Sequence, residues 1–254
     1  YVFPGDGTDM GMDAGITLQN SQKLLGSGTN YALPTTQGII VIPAQSATAP
    51  LITNAGGTIV ALANNNALSG LHMGTSSIAA EGSSIKNLQV LSCQVDASTL
   101  PISLMDCTGS ILIHGNTFEN YTDRAVQINS TTGSSTLVLA SNTYTAMAAA
   151  PSTYGITASL SGSAQATLKV KNSTFSEHTV ASISFSSSGS SVMNPIISNN
   201  TMTAPAAVAN TVGIALQPGG SASTASILGN TLINHEGNSI DIRASSAVLY
   251  SSTI

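Results

Sequence analysis

Short runs of alternating apolar and polar residues recur along the chain, and the same pattern returns at regular intervals. The segment ILIHGNTFEN (111–120) combines an apolar run, a bend and an Asn-Thr-aromatic element. Related segments are LVLASNTYTA (137–146), LKVKNSTFSE (168–177), IISNNTMTA (196–204) and SILGNTLIN (226–234). Because alternation with a period of two is typical of β-strands, the pattern predicts a chain made of repeated units of short strands.

The spacing of the repeats was measured from one residue, the Thr of the Asn-Thr-aromatic element, called the anchor. Strong copies place it at Thr117, Thr143, Thr174, Thr201 and Thr231, and weaker copies at Lys23, Ala67, Gln94 and Thr253. Successive anchors are 22 to 31 residues apart, except for one interval of 44 residues between Lys23 and Ala67. That interval contains the extra runs GIIVI and PLIT, so we expect two turns of the chain within it. A second alternating run after most anchors predicts at least two strands in each repeat.

This repetition predicts an all-β fold, a right-handed parallel β-helix of about nine to ten coils with an asparagine ladder. No helical stretch of about 10 to 12 residues separates the strands, which excludes βαβ units. A sandwich or an antiparallel barrel explains many short strands but does not require the same element in every repeat. In a solenoid, equivalent strands stack about 4.8 Å apart, so each side chain meets its own counterpart in the next coil.

Two columns of stacked side chains follow from this prediction. Asn at the bend is expected to pass amide hydrogen bonds between coils while adopting a left-handed backbone. The predicted ladder consists of Asn66, Asn116, Asn142, Asn200 and Asn230, interrupted by Cys93, Ser173 and Ser252. The predicted apolar column consists of Val95, Phe118, Tyr144, Phe175, Met202 and Leu232. The simpler alternative is that Asn and Thr are only turn residues.

These elements resemble the right-handed parallel β-helix of the pectin-lyase-like superfamily. The opening VFPGDGTDMGMDAGITLQNSQKLLGSG is similar to the first coils of β-helical regions in bacterial surface and autotransporter-like proteins. This scaffold supports lyases, hydrolases, adhesins and inert stalks, so the resemblance implies a fold more than an activity. Polygalacturonase-like members carry Asn-Thr-Asp and Arg-Ile-Lys elements, whereas here Phe118 follows Thr117 and no Lys follows Ile242-Arg243.

Composition limits the class of protein. Only 7% of the residues are charged and 42% are hydrophobic, with a mean hydropathy of +0.25, which favours a folded chain over a disordered one. The net charge of −5 and six scattered Lys and Arg residues argue against nucleic acid as a partner. No apolar run approaches the roughly 18 residues of a membrane span. We expect one β-helix domain over 1–254, with 1–30 as an N-terminal capping and first-coil region, cut from a longer extracellular or bacterial cell-surface protein.

Catalytic candidates follow the anchors by two to five residues. They are Glu119, Glu177, His178, His235 and Glu236, all predicted at the same turn region of the stack. Glu119 and Glu177 belong to coils two apart, or about 10 Å, slightly more than the roughly 6.5 to 9.5 Å between the carboxylates of inverting glycosidases. The alternative is that these long polar residues only decorate an exposed turn.

Binding candidates lie on another strand of the repeat. Asp241 and Arg243 alternate with Ile240 and Ile242, so their side chains are expected to point away from the core. Their predicted equivalents are Gln127 and Asn129 in one coil and Ser184 and Ser186 in another. This polar face offers hydrogen-bonding groups to a saccharide, although the chain has no Trp to support a sugar ring.

Metal and thiol chemistry have weaker support. Asp6, Asp9 and Asp13 are possible calcium ligands, but their spacing is not that of an EF-hand and Gly-Asp-Gly is ordinary turn chemistry. No cofactor is therefore expected. Cys93 and Cys107 lie in consecutive strand-like segments, where either a disulfide or two buried thiols would fit.

Two main functions remain open. The first is a noncatalytic, passenger- or adhesin-like segment of a cell-surface protein, which presents loops and a polar face to a polysaccharide or a host-surface glycan. The alternative is a polysaccharide-active lyase or glycoside hydrolase. A trimeric fibre is a third possibility. In each case the full-length protein is expected to contain further domains.

Overall fold

The computed structural model describes residues 1–3, 14–44, 48–148, 150, 153–206, 208–221, 223–244 and 250–253. The regular secondary structure of these residues consists of β-strands. The strands form an N-terminal group, six regular turns and a last strand. The N-terminal strands are β1 (Ile16–Thr17), β2 (Lys23–Leu25), β3 (Tyr31–Thr35), β4 (Gly38–Ile42), β5 (Leu51–Ala61), β6 (Asn66–Ser69) and β7 (His72–Ser83).

Each regular turn holds three strands in the same order. The first three turns are β8 (Lys86–Leu91), β9 (Gln94–Asp96), β10 (Ser98–Met105); β11 (Thr108–His114), β12 (Thr117–Tyr121), β13 (Arg124–Ser130); and β14 (Ser134–Ala140), β15 (Thr143–Ala146), β16 (Tyr154–Leu160). The next three are β17 (Gln165–Lys171), β18 (Thr174–Ser176), β19 (Ala181–Ser188); β20 (Val192–Ser198), β21 (Thr201–Thr203), β22 (Val212–Gly219); and β23 (Ser223–Leu228), β24 (Thr231–Ile233), β25 (Ile240–Ile242). The last strand is β26 (Tyr250–Thr253).

Equivalent strands stack in parallel, which confirms the predicted β-helix. One sheet of nine strands runs in the order β2-β6-β8-β11-β14-β17-β20-β23-β26. The short strands β9 to β24 form a second stack and the long strands β10 to β25 form a third. The two stacks join through β7, because this strand pairs with both β9 and β10. The result is a right-handed parallel solenoid with apolar side chains packed between the three faces.

The number of coils was overestimated. The structure has about six turns, those in which all three strands are separate. The 44-residue interval holds one turn and not two, since Lys23 pairs directly with Ala67. Its run GIIVI forms β4, which pairs antiparallel with β3 in a hairpin outside the solenoid, while PLIT leads into β5. A hairpin strand and a solenoid strand share the period of two, so the pattern alone did not separate them.

The register of the central repeats was predicted correctly. One column of the short-strand stack contains Gln94, Thr117, Thr143, Thr174, Thr201 and Thr231. The column continues from Gln94 to His72 and not to Ala67. Three weak anchors were wrong, because Lys23, Ala67 and Thr253 all pair within the nine-stranded sheet.

The asparagine ladder is present at the buried bend before the short strands. The side-chain oxygen of Asn142 accepts hydrogen bonds from the main-chain N–H (2.9 Å) and the side-chain amide (3.0 Å) of Asn116. The amide nitrogen of Asn142 donates to the carbonyl of Ile113 at 2.9 Å. Asn200 and Asn230 repeat this arrangement at 2.9 Å between their side chains. These two Asn pairs thus link neighbouring turns through buried side-chain amides. Between them, Ser173 continues the ladder by accepting from the main-chain N–H of Asn142 and donating its own N–H to the side-chain oxygen of Asn200.

Two details of the ladder differ from the prediction. The left-handed backbone belongs to the residue before the ladder Asn, as at Gly115 (φ 66°) and Ser141 (φ 55°). Asn66 lies outside the ladder, at another corner, where its amide donates to the carbonyls of Gln19 (2.8 Å) and Gln22 (3.0 Å). Ser252 also falls outside it, since it pairs with Ala225 in the nine-stranded sheet.

The predicted apolar column fills the interior beside the ladder. The rings of Phe118 and Tyr144 are nearly parallel with centroids 5.2 Å apart, and those of Tyr144 and Phe175 are 4.6 Å apart. Val95 and Met202 extend the column, and Leu232 packs against it at the C-terminal end. Offset stacking adds to the burial of these rings, so the column is a major part of the hydrophobic core.

Both cysteines are buried free thiols, and so the disulfide alternative is wrong. The main-chain N–H of Cys93 donates to the side-chain oxygen of Asn116 at 2.9 Å, which places Cys93 at the ladder position. Burial raises the pKa of its thiol to about 11 and also raises that of Cys107. Both sulfurs are therefore protonated at neutral pH and poor nucleophiles.

In the described part of the chain, no helix is long and apolar enough to cross a bilayer.

Candidate functional site

The outward side of the long strands, called the long-strand face, carries polar side chains in register. One row on this face consists of Ala61, Glu81, Ser103, Gln127, Thr157, Ser184, Ala215 and Asp241. A parallel row two residues further along consists of Ser83, Met105, Asn129, Ser159, Ser186 and Gln217. The predicted equivalence of Gln127, Ser184 and Asp241 is thus confirmed.

The remaining binding candidates lie where the sequence placed them. Asn129 is half-buried between Met105 and Ser159 of the neighbouring strands. Arg243 follows β25 and forms a salt bridge with Asp241 at 2.8 Å, although 70% of its side chain remains exposed. The structure therefore brings the four binding candidates onto one face, with Gln127 and Asn129 four strands away from Asp241 and Arg243.

The centre of this face contains an arginine that sequence inspection did not select. The guanidinium of Arg124 donates two hydrogen bonds to the carboxylate of its neighbour Asp123, at 2.9 and 3.0 Å. Its Cζ also lies 5.4 Å from the ring centroid of Tyr154 in the next turn. These contacts hold the guanidinium in place with three-quarters of the side chain covered. No sequence signal marked Tyr154, because only the register places it beside Arg124.

Two depressions lie along the long-strand face. The first, of about 200 Å³, is lined by Arg124, Asn129, Tyr154, Thr157, Ala158, Ser159, Ser184 and Ser186. The second, of about 410 Å³, is lined by Ser186, Ser187, Gln217 and Arg243. They share Ser186, so together they form a polar trough along the solenoid axis. Its walls offer hydroxyl, amide and guanidinium groups, which suit a ligand rich in hydroxyl groups.

The catalytic candidates do not form one cluster. Glu119 is half-buried on the outward side of β12, Glu236 is exposed, and His178 is buried in the interior. The left-handed backbone of Asn120 (φ 53°) and Glu177 (φ 64°) interrupts the alternation of the strands. The residues that follow these two positions, Tyr121 and His178, therefore turn into the core, which separates the candidate His178 from the carboxylates.

His178 belongs to a buried polar group. Its Nε2 shares a hydrogen bond with the hydroxyl of Tyr121, and its Nδ1 lies 3.4 Å from the hydroxyl of Ser182. Burial, together with the nearby His235, lowers the pKa of His178 to about 3. The ring is consequently neutral at ordinary pH. With Tyr121 and Ser182 also buried, this group is placed to stabilise the interior and not to contact a polysaccharide.

His235 follows a third left-handed residue, Asn234 (φ 60°), in the equivalent corner near the C-terminal end of the stack. Among the described residues, neither of its buried ring nitrogens has a hydrogen-bond partner, and burial lowers its pKa. The imidazole rings of His178 and His235 thus belong to the interior side of this corner, separate from the carboxylates of Glu119 and Glu236.

The register also reveals a carboxylate that sequence inspection missed. Asp96 in β9 pairs directly with Glu119 in β12, and both side chains are half-buried on the outward side of the short strands. Asn120 donates to Asp96 at 2.8 Å, and Gln94 donates to Glu119 at 3.4 Å. Neighbouring parallel strands are about 4.8 Å apart, so these two carboxylates lie closer together than the predicted pair of Glu119 and Glu177.

Metal binding has no support from the described residues. Among the residues that the structure describes, no three His, Cys, Asp or Glu side chains are grouped so that they could hold a metal ion. The calcium hypothesis involved Asp6, Asp9 and Asp13, which lie outside the described residues.

Comparisons with protein-family models, with curated proteins and with solved structures found no match. The class of this protein, a parallel β-solenoid with a polar long-strand face, is accordingly defined by its own strand pairings.

Proposed function

We propose that this domain is a noncatalytic β-helix of an extracellular or bacterial cell-surface protein, a passenger- or adhesin-like segment that binds an extended glycan along its long-strand face. The glycan is a polysaccharide or belongs to a host surface. The observation that carries this proposal is the in-register polar row through Ser103, Gln127, Thr157 and Ser184, flanked by the trough around Arg124.

The repeat of the face supports an extended ligand. From Ser103 to Ser184, a hydroxyl or amide group recurs about every 4.8 Å along the axis, one for each of four turns. A sugar chain also repeats its hydroxyl groups along its length, so several weak hydrogen bonds can form along one straight contact. Each is worth only about 0.5 to 1.5 kcal/mol against competition from water, so binding requires several turns acting together.

Electrostatics favour a weakly charged ligand. Both arginines of the face are already paired, Arg124 with Asp123 and Arg243 with Asp241. The ring of Tyr154 is covered by Arg124 and provides little free surface for stacking against a sugar. The expected affinity is therefore low, as in binding surfaces that act through many repeated contacts.

The relation to the pectin-lyase-like superfamily and to autotransporter-like passengers is part of this proposal. It is supported by the parallel solenoid and by the ladder of Asn116, Asn142, Asn200 and Asn230. The low fraction of charged residues, 7%, supports the surface location in the same way. Such a scaffold presents a ligand face at a fixed geometry because its interior is rigidly packed.

The test is binding of the complete domain to a panel of neutral and acidic polysaccharides and host-type glycans, measured by calorimetry and on a glycan array. The double variant Gln127→Ala/Thr157→Ala removes two side chains of the row and should weaken binding at least about tenfold. The matched control is Thr136→Ala/Thr167→Ala, since these residues form an equivalent outward pair on the nine-stranded sheet. Equal effects of both double variants, or no binding to any glycan, would remove the proposal.

The alternative function is a polysaccharide-active lyase or glycoside hydrolase. It is favoured by the neighbouring carboxylates of Asp96 and Glu119, which lie on one outward face in register. Retaining glycosidases use carboxylates about 5 to 5.5 Å apart, so this pair has a suitable spacing for such chemistry. Reducing ends or unsaturated products released by the domain, and lost in both Asp96→Asn and Glu119→Gln, would establish the enzyme. Intact glycans after long incubation would leave the noncatalytic proposal in place.

A further inference from the structure

The hairpin of β3 and β4 exposes a continuous apolar surface outside the solenoid. Ile39, Ile40 and Val41 are 71%, 57% and 61% exposed. Because successive strand residues point to opposite sides, apolar side chains face solvent on both sides of β4. Phe3, 61% exposed, adds to this surface through Tyr1, whose ring packs on both Phe3 and Tyr31. Such a surface marks a contact site more often than a free surface.

The hairpin is fixed to the body of the solenoid at its base. The hydroxyl of Tyr31 donates to the carbonyl of Ser69 at 2.8 Å, at the end of β6. The hydroxyl of Tyr1 donates to the carbonyl of Pro43 at 3.3 Å, directly after β4. These contacts present the hairpin in a defined orientation.

β4 also has an open edge. In the described part of the chain, the hairpin sheet has only two strands, so every second residue of β4 points its main-chain N–H and C=O away from β3. Pro34 removes one N–H donor from β3, whereas Gly38–Ile42 contains no Pro and retains all its donors. An isolated two-stranded hairpin is marginally stable, and a third strand at the open edge would stabilise it.

Natural proteins protect such edges with Lys, Pro, a bulge or an inward-pointing charge. None of these is present in β4, whose sequence is GIIVI. The chain has no Asp, Glu, Lys or Arg anywhere between Lys23 and Glu81. A partner at this edge is therefore recognised by apolar contact and main-chain hydrogen bonds, because the hairpin itself carries no Asp, Glu, Lys or Arg side chain to select a charged surface.

We propose that the open edge of β4 pairs with β4 of a second copy of this chain, giving a four-stranded antiparallel sheet across a two-fold axis. A second copy brings the same uncharged surface, so the net charge of −5 on each chain causes little repulsion at the contact. The pairing is self-complementary, since antiparallel β4 strands centred on Ile40 place apolar residues opposite apolar residues. This proposal is independent of glycan binding on the long-strand face.

The contact is small. β4 has five residues, or about 17 Å, so a contact confined to two such hairpins is expected to bury less than the roughly 1,200 Å² of a standard stable interface. The dimer is therefore expected to be reversible, with a dissociation constant in the micromolar range.

Sedimentation velocity of the complete domain, from about 1 to 500 µM, measures this equilibrium across the expected range. The wild-type domain should form a dimer, and Ile40→Lys should raise the dissociation constant at least about tenfold, because it places a charge at the centre of the edge. The matched control is Ile196→Lys, an exposed Ile (38%) on the nine-stranded sheet, which should leave the equilibrium unchanged.

A second variant tests the geometry without adding a charge. Under mild oxidation, Ile40→Cys should form a covalent dimer and Ile196→Cys should not, with little background because Cys93 and Cys107 are buried. A domain that stays monomeric at every concentration, or a dimer that ignores Ile40→Lys and fails to cross-link through Ile40→Cys, would overturn the proposal. So would a monomer that sediments with neutral phospholipid vesicles through the same hairpin, which would assign the apolar surface to a lipid partner.

Discussion

The interior columns and the long-strand face are made by the same turns, yet they follow different rules. Inside, Phe118, Tyr144 and Phe175 stack ring on ring, and Asn116 bonds to Asn142. Outside, the same turns carry unlike residues at equivalent positions, such as Gln127 and Thr157. Each interior side chain must fit its counterparts above and below, whereas outward side chains such as Gln127 and Thr157 are half-buried and keep one side open to water. Along the long strands, repetition therefore indicates the core, and the loss of repetition indicates the surface that is free to acquire a function. The short strands differ, because their repeated Thr residues, from Thr143 to Thr231, form an exposed column.

The difference should appear most strongly when an interior ring is removed. Phe175 is 2% exposed and lies 4.6 Å from the ring of Tyr144. Phe175→Ala should lower the free energy of unfolding by about 3 to 5 kcal/mol, because it removes a buried ring and leaves a cavity in the column. Urea denaturation monitored by circular dichroism measures this loss.

Phe175→Leu is the control for this variant. Met202 occupies the same column in the next turn, so an aliphatic side chain fits there, and the loss should be about 1 to 2 kcal/mol. If both variants lost the same free energy, cavity formation in the column would not be the cause.

The ladder gives the next largest effect. Asn142→Ala leaves the main-chain N–H and the side-chain amide of Asn116 without their acceptor, and the carbonyl of Ile113 without its side-chain donor. Buried unsatisfied groups cost about 1 to 3 kcal/mol each, so even at the lower end of this range the three groups together should reduce the free energy of unfolding by about 3 kcal/mol. The same denaturation experiment measures it.

Serine provides a matched control in the ladder, because Ser173 occupies the next position of the column. Its hydroxyl accepts from the N–H of Asn142 at 3.2 Å and donates to the carbonyl of Lys171 at 3.0 Å. Asn142→Ser should consequently lose much less stability than Asn142→Ala. Equal losses would show that the hydrogen bonds of the ladder contribute little.

An intermediate effect is expected from pH. Burial lowers the pKa of His178 to about 3 in the folded chain, against about 6.5 when unfolded. The neutral ring is favoured by folding, so its contribution is fully present above about pH 6.5 and is lost as pH falls towards 3, since only the unfolded chain takes up the proton. Between pH 6.5 and 5.0, the free energy of unfolding of the wild type should fall by roughly 1.5 to 2 kcal/mol more than that of His178→Gln.

The subtraction of the variant is essential to this measurement, because carboxylates and His235 also titrate as the pH falls. Gln keeps a polar group near the hydroxyl of Tyr121 but has no proton to gain. Parallel pH profiles for the wild type and His178→Gln would contradict the assignment of a buried neutral imidazole.

The same contrast explains what the sequence could predict. The column from Gln94 to Thr231 and the row from Gln127 to Asp241 were predictable, because strict alternation fixes which residues share a face. His178 was misplaced because the left-handed Glu177 before it reverses the alternation, and Glu at such a position gives no distinct signal. The hairpin at β3 and β4 was misplaced because its alternation equals that of a solenoid strand.

The cluster around Arg124 could not be predicted for a different reason. Asp123 and Arg124 are neighbours in sequence, and most such pairs are solvated surface charges. The contact that distinguishes this one comes from Tyr154, 30 residues later, which only the pairing of β13 with β16 brings beside it. Long-range register, and not local pattern, therefore positions the most structured part of the long-strand face.

The smallest effect on stability is expected on the long-strand face, where outward residues can be compared directly with those of the interior columns. Gln127 and Thr157 are half-buried at adjacent outward positions, and neither belongs to a column of the core. Gln127→Ala/Thr157→Ala should change the free energy of unfolding by no more than about 0.5 kcal/mol for each substitution, the usual range for surface positions. Because each outward position contributes little to folding, a loss of glycan binding in this variant reports on the outward row and on Arg124, whose guanidinium donates to the hydroxyl of Thr157 at 3.4 Å. A loss of stability comparable to that of Asn142→Ala would instead show that the outward row is a structural ladder like the interior one, and the distinction between the two regions would fail.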